Sequence, residues 1–295
     1  MSEVWIQPTG GALGADVHGV DIGRGVSDAA FARIAEAWAE HLVLRFSGQR
    51  ITDDQLMEFS KRFGELDRVP IATAGLDRTD SGLDENARQW VAVISSVKEN
   101  GKAVGGLGSY ELVWHTDMSY NDLPPRASLL YAVEVPPDGG NTGYLNMYTA
   151  YETLPGELKR AIEGKTCIHD SSRNSAGELR KGFQRTTDVT RTPGAVHPLV
   201  RTMPRTGRRA LYLASHAAHI VDWPVPEGRL LLLDLMAHAT LPQFVYRHVW
   251  RPHDFVIWDN RCALHSATGG YPIEEKRIHW RVTIMQDAAQ SQKAA

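Results

Sequence analysis

The 295-residue chain reads as mainly β with flanking helices, in the manner of a jelly roll or a related closed sandwich. Three observations predict this. Two capped amphipathic helices stand near the N-terminus with a strand between them. Strand-forming runs then dominate from residue 90 to residue 285. Long polar excursions separate several of those runs, which suits antiparallel strands joined by wide connections.

The elements follow in order. Residues 4–22, VWIQPTGGALGADVHGVDI, are short strands broken by glycine turns. Residues 27–41 carry apolar residues at helical spacing, with Ser27 as the N-cap. LVLRF, 42–46, is a short buried strand. In the helix over 52–64, Thr52 and Gln55 have capping-box spacing and Gly64 closes the run. Residues 72–89 are polar and weakly periodic, a loop long enough to act as a lid. Strands are expected at 90–97, 127–135 and 142–147, and a helix near 155–164. A second polar segment, 171–194, is another lid candidate. Strands at 196–203 and 208–215 flank the turn PRTG. A helix covers 226–240, and strands cover 244–250, 254–260 and 277–285. The tail after 285 reads as frayed. With no internal repeat and no linker composition, residues 1–295 are expected to form one domain.

Composition bounds the function. Apolar content of 42% and charged content of 23% are those of a soluble globular protein. A formal net charge of −3 gives no reason to expect nucleic acid or an anionic membrane as partner. No basic, apolar leader opens the chain, and no apolar run is long enough to span a bilayer. Two cysteines, Cys167 and Cys262, form no disulfide framework and point to a reducing, cytoplasmic setting.

The motif WHTDMSY, 114–120, places His115 and Asp117 two apart between aromatic residues. In an extended chain such side chains share one side. They are two ligands of a metal, or an ordinary polar pair on a sheet face. A ferrous facial triad would need a second histidine from another strand. The segment DFVIWDNRCALHSA, 254–267, is an apolar strand, a turn and then His265. Further on, KRIHWRVTIM places Arg277 and Arg281 among apolar neighbours. Unpaired, such arginines cost several kcal/mol of desolvation, so each calls for an anion, either a ligand carboxylate or a protein acid. His41, His169, His197, His216, His219, His238, His248, His253 and His279 lack a carboxylate at ligand-like spacing and read as structural, although ASHAAHI puts His216 or His219 within reach of a pocket. PPDGGNT, 136–142, is a turn leading into a strand that begins at Thr142.

Taken together, W-H-x-D with an aromatic after it, P-P-x-G-G-x-T, W-D-N-R-x-x-x-H and a late K-R-I-x-x-R resemble the TauD/TfdA family of iron- and 2-oxoglutarate-dependent dioxygenases. The resemblance covers nearly the whole chain. HPLVRT, SHAAHI and PEGRLLL bring it nearest the phenoxyacetate-dioxygenase branch. It implies a double-stranded β-helix core, Fe(II) held by His115, Asp117 and His265, and 2-oxoglutarate and O2 as co-reactants yielding succinate and CO2. It also implies that Arg277 and the Thr142 hydroxyl hold the distal carboxylate of 2-oxoglutarate, and that Arg281 lies near the acidic end of substrate or cosubstrate. Family members often carry Asn four residues before the first histidine. Glu111 stands there instead, which bears on substrate contacts. Lys102 has two readings, a partner for a substrate carboxylate or a solvated lysine.

The expected activity is hydroxylation of a small acid next to a heteroatom, a phenoxyalkanoic acid such as 2,4-dichlorophenoxyacetate first, with sulfonates and alkyl sulfates as alternatives. Two rivals differ in kind: a non-catalytic jelly roll that binds a small acid through Arg277 and Arg281, and a zinc hydrolase using the same ligands. A homo-oligomer is compatible with the sequence.

Overall fold

The computed structural model describes residues 3–69, 83–95, 97–99, 102–103, 105–107, 112–175, 177–272 and 274–286, with backbone alone at 98, 99, 102, 103 and 107. Most of the 72–89 loop and the tail beyond residue 286 fall outside these residues.

An eight-stranded sheet organises the chain. Its order is Trp5–Pro8, Ala15–His18, Val43–Phe46, Phe255–Asp259, Ala127–Glu134, Ile278–Ile284, Val91–Ser95 and Gly106–Leu107. Neighbours run antiparallel except for Ala15–His18 beside Val43–Phe46, and Val91–Ser95 beside Gly106–Leu107. A second sheet joins Val245–His248, Thr142–Asn146 and Ala263–Ala267. A third joins Gly194–Pro198, Thr166–Asp170 and Ala217–Ile220.

Side chains alternate across a strand, so each central strand of the large sheet serves two cores. Ala127, Leu129, Tyr131, Phe255, Ile257, Val282 and Ile284 enter one apolar cluster with Ile34, Trp38, Leu56, Phe59 and Phe63 from the N-terminal helices. Leu130, Ala132, Val256 and Trp258 enter the other, with Tyr144, Leu145, Ala263 and Leu264 of the second sheet. Ser128 and Arg281 share the parity of this second face. A fully buried aliphatic or aromatic side chain contributes about 1.5–3 kcal/mol, so both faces are strongly held.

The helices follow their local signals. Asp28–His41 starts where Ser27 Oγ accepts from the Ala30 amide at 3.3 Å. Asp53–Lys61 has the reciprocal Thr52–Gln55 box. The expected run to Gly64 is shortened, with the helix ending at Lys61. Gly64 turns the chain at φ +147°, where a Cβ would stand 2.7 Å from Ile284. Val225–Ala239 is the longest helix among the described residues.

Four elements differ from expectation. Residue 147 does not extend the strand: Asn146 Oδ1 accepts from the amides of Tyr148 and Thr149 and starts the helix Met147–Glu152. Thr166–Asp170 and Ala217–Ile220 are strands that pair with each other. Arg277 precedes its strand, which begins at Ile278.

Candidate active site

The site begins with a backbone pairing. His115 and His265, 150 positions apart, exchange both amide–carbonyl hydrogen bonds, at 3.0 and 2.8 Å. That exchange sets His115 directly beside His265 of the strand Ala263–Ala267, as an isolated antiparallel bridge. Their ring centroids are 4.1 Å apart. His115 Nδ1 donates to the Val113 carbonyl at 2.8 Å, the tautomer in which Nε2 is the nitrogen able to ligate a metal. Asp117 follows two residues on, with Oδ1 3.9 Å from His265 Nε2. One ligand atom from each of His115, Asp117 and His265 lies within 4.8 Å of the others, and all three residues are buried. Two imidazoles and one carboxylate form the donor set of a facial-triad iron site, so the residues present fit Fe(II). The other such cluster among the described residues, Asp53, Asp54 and Asp84, is largely exposed.

The carboxylate is oriented by residues scattered through the chain. Ser128 Oγ donates to Asp117 Oδ2. Asn260 Nδ2 donates to Ser128 Oγ at 2.9 Å, and Trp258 Nε1 donates to Asn260 Oδ1 at 2.9 Å. Thr116 Oγ1 also donates to the Asn260 carbonyl at 2.6 Å. The W-D-N-R motif therefore has two jobs. Trp258 and Asn260 aim the carboxylate, while Asp259 closes the turn by pairing with Arg261 at 2.6 Å. Burial works against the Asp117 charge. Arg281, His265, His115 and the Ser128 hydrogen bond outweigh it and hold the carboxyl well below its ordinary range.

Arg281 Nη1 donates to Asp117 Oδ1 at 3.3 Å, so a protein acid is its partner in this structure. Arg277 Nε donates to the Gly140 carbonyl at 2.9 Å. This contact bears on Gly140 of PPDGGNT, whereas Gly139 is packed against the backbone of Gly270. Gly139 and Gly140 have φ of +76° and +64°, and a Cβ on Gly140 would press within 3.2 Å of the Arg277 side chain. Both arginines line a small cavity with Thr142, Trp258, His265, Ile94, Leu130 and Ala267. Its volume is about 30 Å³, room for about two waters. A five-carbon diacid is larger than this cavity.

A larger cavity of about 800 Å³ is lined by Leu112, Val113 and Trp114, the residues just before His115. Leu213, Leu232, Leu233 and Met236 give it apolar walls, and His216 and Arg229 give it polar ones. Residues of the 171–194 segment, including Arg173, Asn174 and Val189, close one side. His216 Nδ1 faces the Asp170 carbonyl at 3.1 Å. Burial, Arg180 and His115 depress its pKa to about 4, so the ring is neutral near pH 7.

The structure thus gathers His115, Asp117, His265, Thr142, Arg277 and Arg281 around one centre. Glu111 and the Lys102 side chain lie outside the described residues. Ser128 and Asn260 were not singled out from the sequence. The only local signal for Ser128 is a hydroxyl inside the apolar run ASLLYAVEV.

The fold and the donor set define a non-haem iron oxygenase of the 2-oxoglutarate-dependent class. The family model for taurine catabolism dioxygenase TauD, TfdA family, matches residues 5–283, and the chain belongs to that family. Its members use Fe(II), 2-oxoglutarate and O2. The chain is 34% identical over 282 residues to the α-ketoglutarate-dependent 2,4-dichlorophenoxyacetate dioxygenase of Cupriavidus pinatubonensis, covering 93% of this chain and 95% of that one. It is 29% identical to an alkylsulfatase of Acinetobacter baylyi, covering 93% and 82%. The crystal structure of AAD-2 in complex with Mn(II) and N-oxalylglycine superposes with a TM-score of 0.76 at 32% identity, covering 97% and 98%. N-oxalylglycine stands for 2-oxoglutarate, with N–H in place of one methylene. Among the described residues, no helix is long and apolar enough to cross a membrane.

Proposed function

We propose that this enzyme hydroxylates a small organic anion at a carbon next to a heteroatom, with phenoxyalkanoic acids such as 2,4-dichlorophenoxyacetate as first candidates. The observation that carries the proposal is the shared wall between the His115–Asp117–His265 cluster and a cavity lined by two arginines and a threonine hydroxyl. In this reading the three clustered residues hold Fe(II). Bound iron, with 2-oxoglutarate and O2, supplies the oxidising power for C–H hydroxylation and releases succinate and CO2. The two facing sheets are read as a double-stranded β-helix, and the chain as a single catalytic domain. Two buried free cysteines fit a cytoplasmic protein.

The protein's own contributions are binding, orientation and exclusion of water. Arg277 grips the distal carboxylate through charge-assisted bonds worth about 1.5–3 kcal/mol each, its Nε already fixed by Gly140. Thr142 adds a hydroxyl donor. Arg281 leaves Asp117 when an anion arrives and pairs with that anion instead. Ser128 and Asn260 keep the Asp117 carboxylate aimed throughout. The apolar walls of the larger cavity suit an aryl or alkyl body, and its polar rim suits an anionic end. The 171–194 segment acts as its lid.

The alkylsulfatase relative keeps alkyl sulfates as the second substrate class, because an arginine-lined rim accepts either anion. The deciding experiment is anaerobic reconstitution with Fe(II) and 2-oxoglutarate, followed by O2 and succinate measurement across phenoxyalkanoates, sulfonates and alkyl sulfates. Succinate release coupled one-to-one to a phenoxyalkanoate is expected. Coupling to sulfate esters alone would replace the substrate class. Turnover without O2 or 2-oxoglutarate would remove the dioxygenase reading in favour of hydrolysis.

A further inference from the structure

Thr142 enters the small cavity with a hydroxyl whose direction is set from behind. Trp250 Nε1 donates to Thr142 Oγ1 at 3.0 Å, and both residues are buried. An indole N–H can only donate, while a hydroxyl has one hydrogen and two lone pairs. The threonine oxygen must therefore accept from Trp250, and its own hydrogen is turned elsewhere. Thr142 lines the small cavity together with Arg277 and Arg281.

The indole is itself held tightly. His248 meets it edge-on, with ring centroids 4.3 Å apart, and His279 meets it at 4.6 Å. Both imidazoles are completely buried, and burial lowers the pKa of each, which keeps them neutral. Backbone pairing adds to the rigidity: His248 stands opposite Thr142 in the ladder joining Val245–His248 to Thr142–Asn146. Trp250 lies two residues beyond the end of that strand, and its indole reaches back to the Thr142 side chain between the two imidazoles.

We infer that Trp250 is a positioning residue for 2-oxoglutarate: it occupies one lone pair of Thr142 and so presents the threonine hydroxyl as a donor to the distal carboxylate beside Arg277. Trp250 does not touch the cosubstrate. It removes the rotamers in which the hydroxyl would oppose an acceptor lone pair to the carboxylate. This inference rests on the placement of 2-oxoglutarate proposed above, and the test separates the two.

Binding of 2-oxoglutarate to the anaerobic Fe(II)-loaded protein is measured by calorimetry for wild type, Trp250→Phe, Thr142→Val and the double variant. Losing one net hydrogen bond of about 1 kcal/mol weakens binding about 5-fold. Each single variant is expected to show that loss with Fe(II) affinity unchanged, and the double variant is expected to be no weaker than Thr142→Val. Equal affinity in wild type and Thr142→Val would overturn the placement of 2-oxoglutarate at Thr142. A loss in Thr142→Val with none in Trp250→Phe, or additive losses in the double variant, would overturn the role of Trp250 alone. A second readout needs no change at Trp250. In the Zn(II)-loaded protein labelled at tryptophan nitrogen, the Trp250 indole signal is expected to shift on addition of 2-oxoglutarate, and to move in Thr142→Val. A signal indifferent to both would also overturn the inference.

Discussion

The two faces of the large sheet are made by the same strands and do different work. Toward the N-terminal helices, Leu129, Tyr131, Phe255, Ile257, Val282 and Ile284 meet Trp38, Phe59 and Phe63 in an apolar core. One residue along each strand, the opposite face carries Ser128, Trp258 and Arg281, all within the network around Asp117. The difference teaches that stability and chemistry are separated here by parity, not by distance. A one-residue slip of any central strand would exchange the two sets.

The separation breaks most visibly at the metal cluster. Replacing His265 by Ala is expected to lower iron-dependent succinate formation by on the order of 10³-fold or more, because two donors cannot form the open facial site. The thermal midpoint should change little, and calorimetric Fe(II) binding with circular dichroism checks both. On the other face the pattern reverses. Phe59→Ala, which opens the aromatic cluster with Phe46, Phe63 and Phe255, is expected to cost about 3–5 kcal/mol of stability. Activity per folded molecule should stay within about 2-fold, the size of a side chain with no path to the site. Denaturant titration and active-site counting would show it.

Ser128 sharpens the comparison, since its two neighbours along the strand, Ala127 and Leu129, belong to the opposite, apolar core. Ser128→Ala should reduce iron affinity or turnover by about 10–100-fold, the usual effect of removing a partner of a metal ligand, while unfolding stays cooperative. Arg277→Lys comes next. Lysine cannot reproduce the planar fork or the simultaneous bond to Gly140, so the apparent 2-oxoglutarate KM should rise about 10-fold, with substrate KM little changed.

The smallest expected effect concerns pH. Burial, then Arg201, pushes the His197 pKa to about 4, and its Nε2 faces the Asn121 carbonyl at 3.0 Å. The unfolded imidazole titrates near 6.5. The unfolded state therefore binds more protons between pH 6.5 and 4, and stability must fall as pH falls through that window. His197→Gln should flatten the decline in unfolding midpoint between pH 7 and pH 4.5. An equally steep decline would assign it to other groups.

What the sequence made legible follows the range of each interaction. Ser27, Thr52 and Gln55 act on amides three residues away, so both N-terminal helix starts were readable. His115 and Asp117 were readable as a pair because they stand two positions apart, although Asp117 opens a turn after the His115 bridge and no strand spans both. Met147–Glu152 was not, because its cap, Asn146, is also the last residue of a strand. His265 as the third ligand came from family resemblance, since its pairing with His115 spans 150 residues. The Ser128–Asn260 bond spans 132 positions and Arg281–Asp117 spans 164. No local pattern encodes such contacts, and the expectation for Arg281 could name an anion without knowing that a protein carboxylate already holds it.

Anaerobic Fe(II) titration in the presence of 2-oxoglutarate, followed by visible charge-transfer absorption, tests the convergence of His115, Asp117 and His265 most directly. One iron per chain, with an absorption band that requires both iron and 2-oxoglutarate and vanishes in His265→Ala, is the result the structure predicts. An unchanged band and stoichiometry in that variant would contradict it.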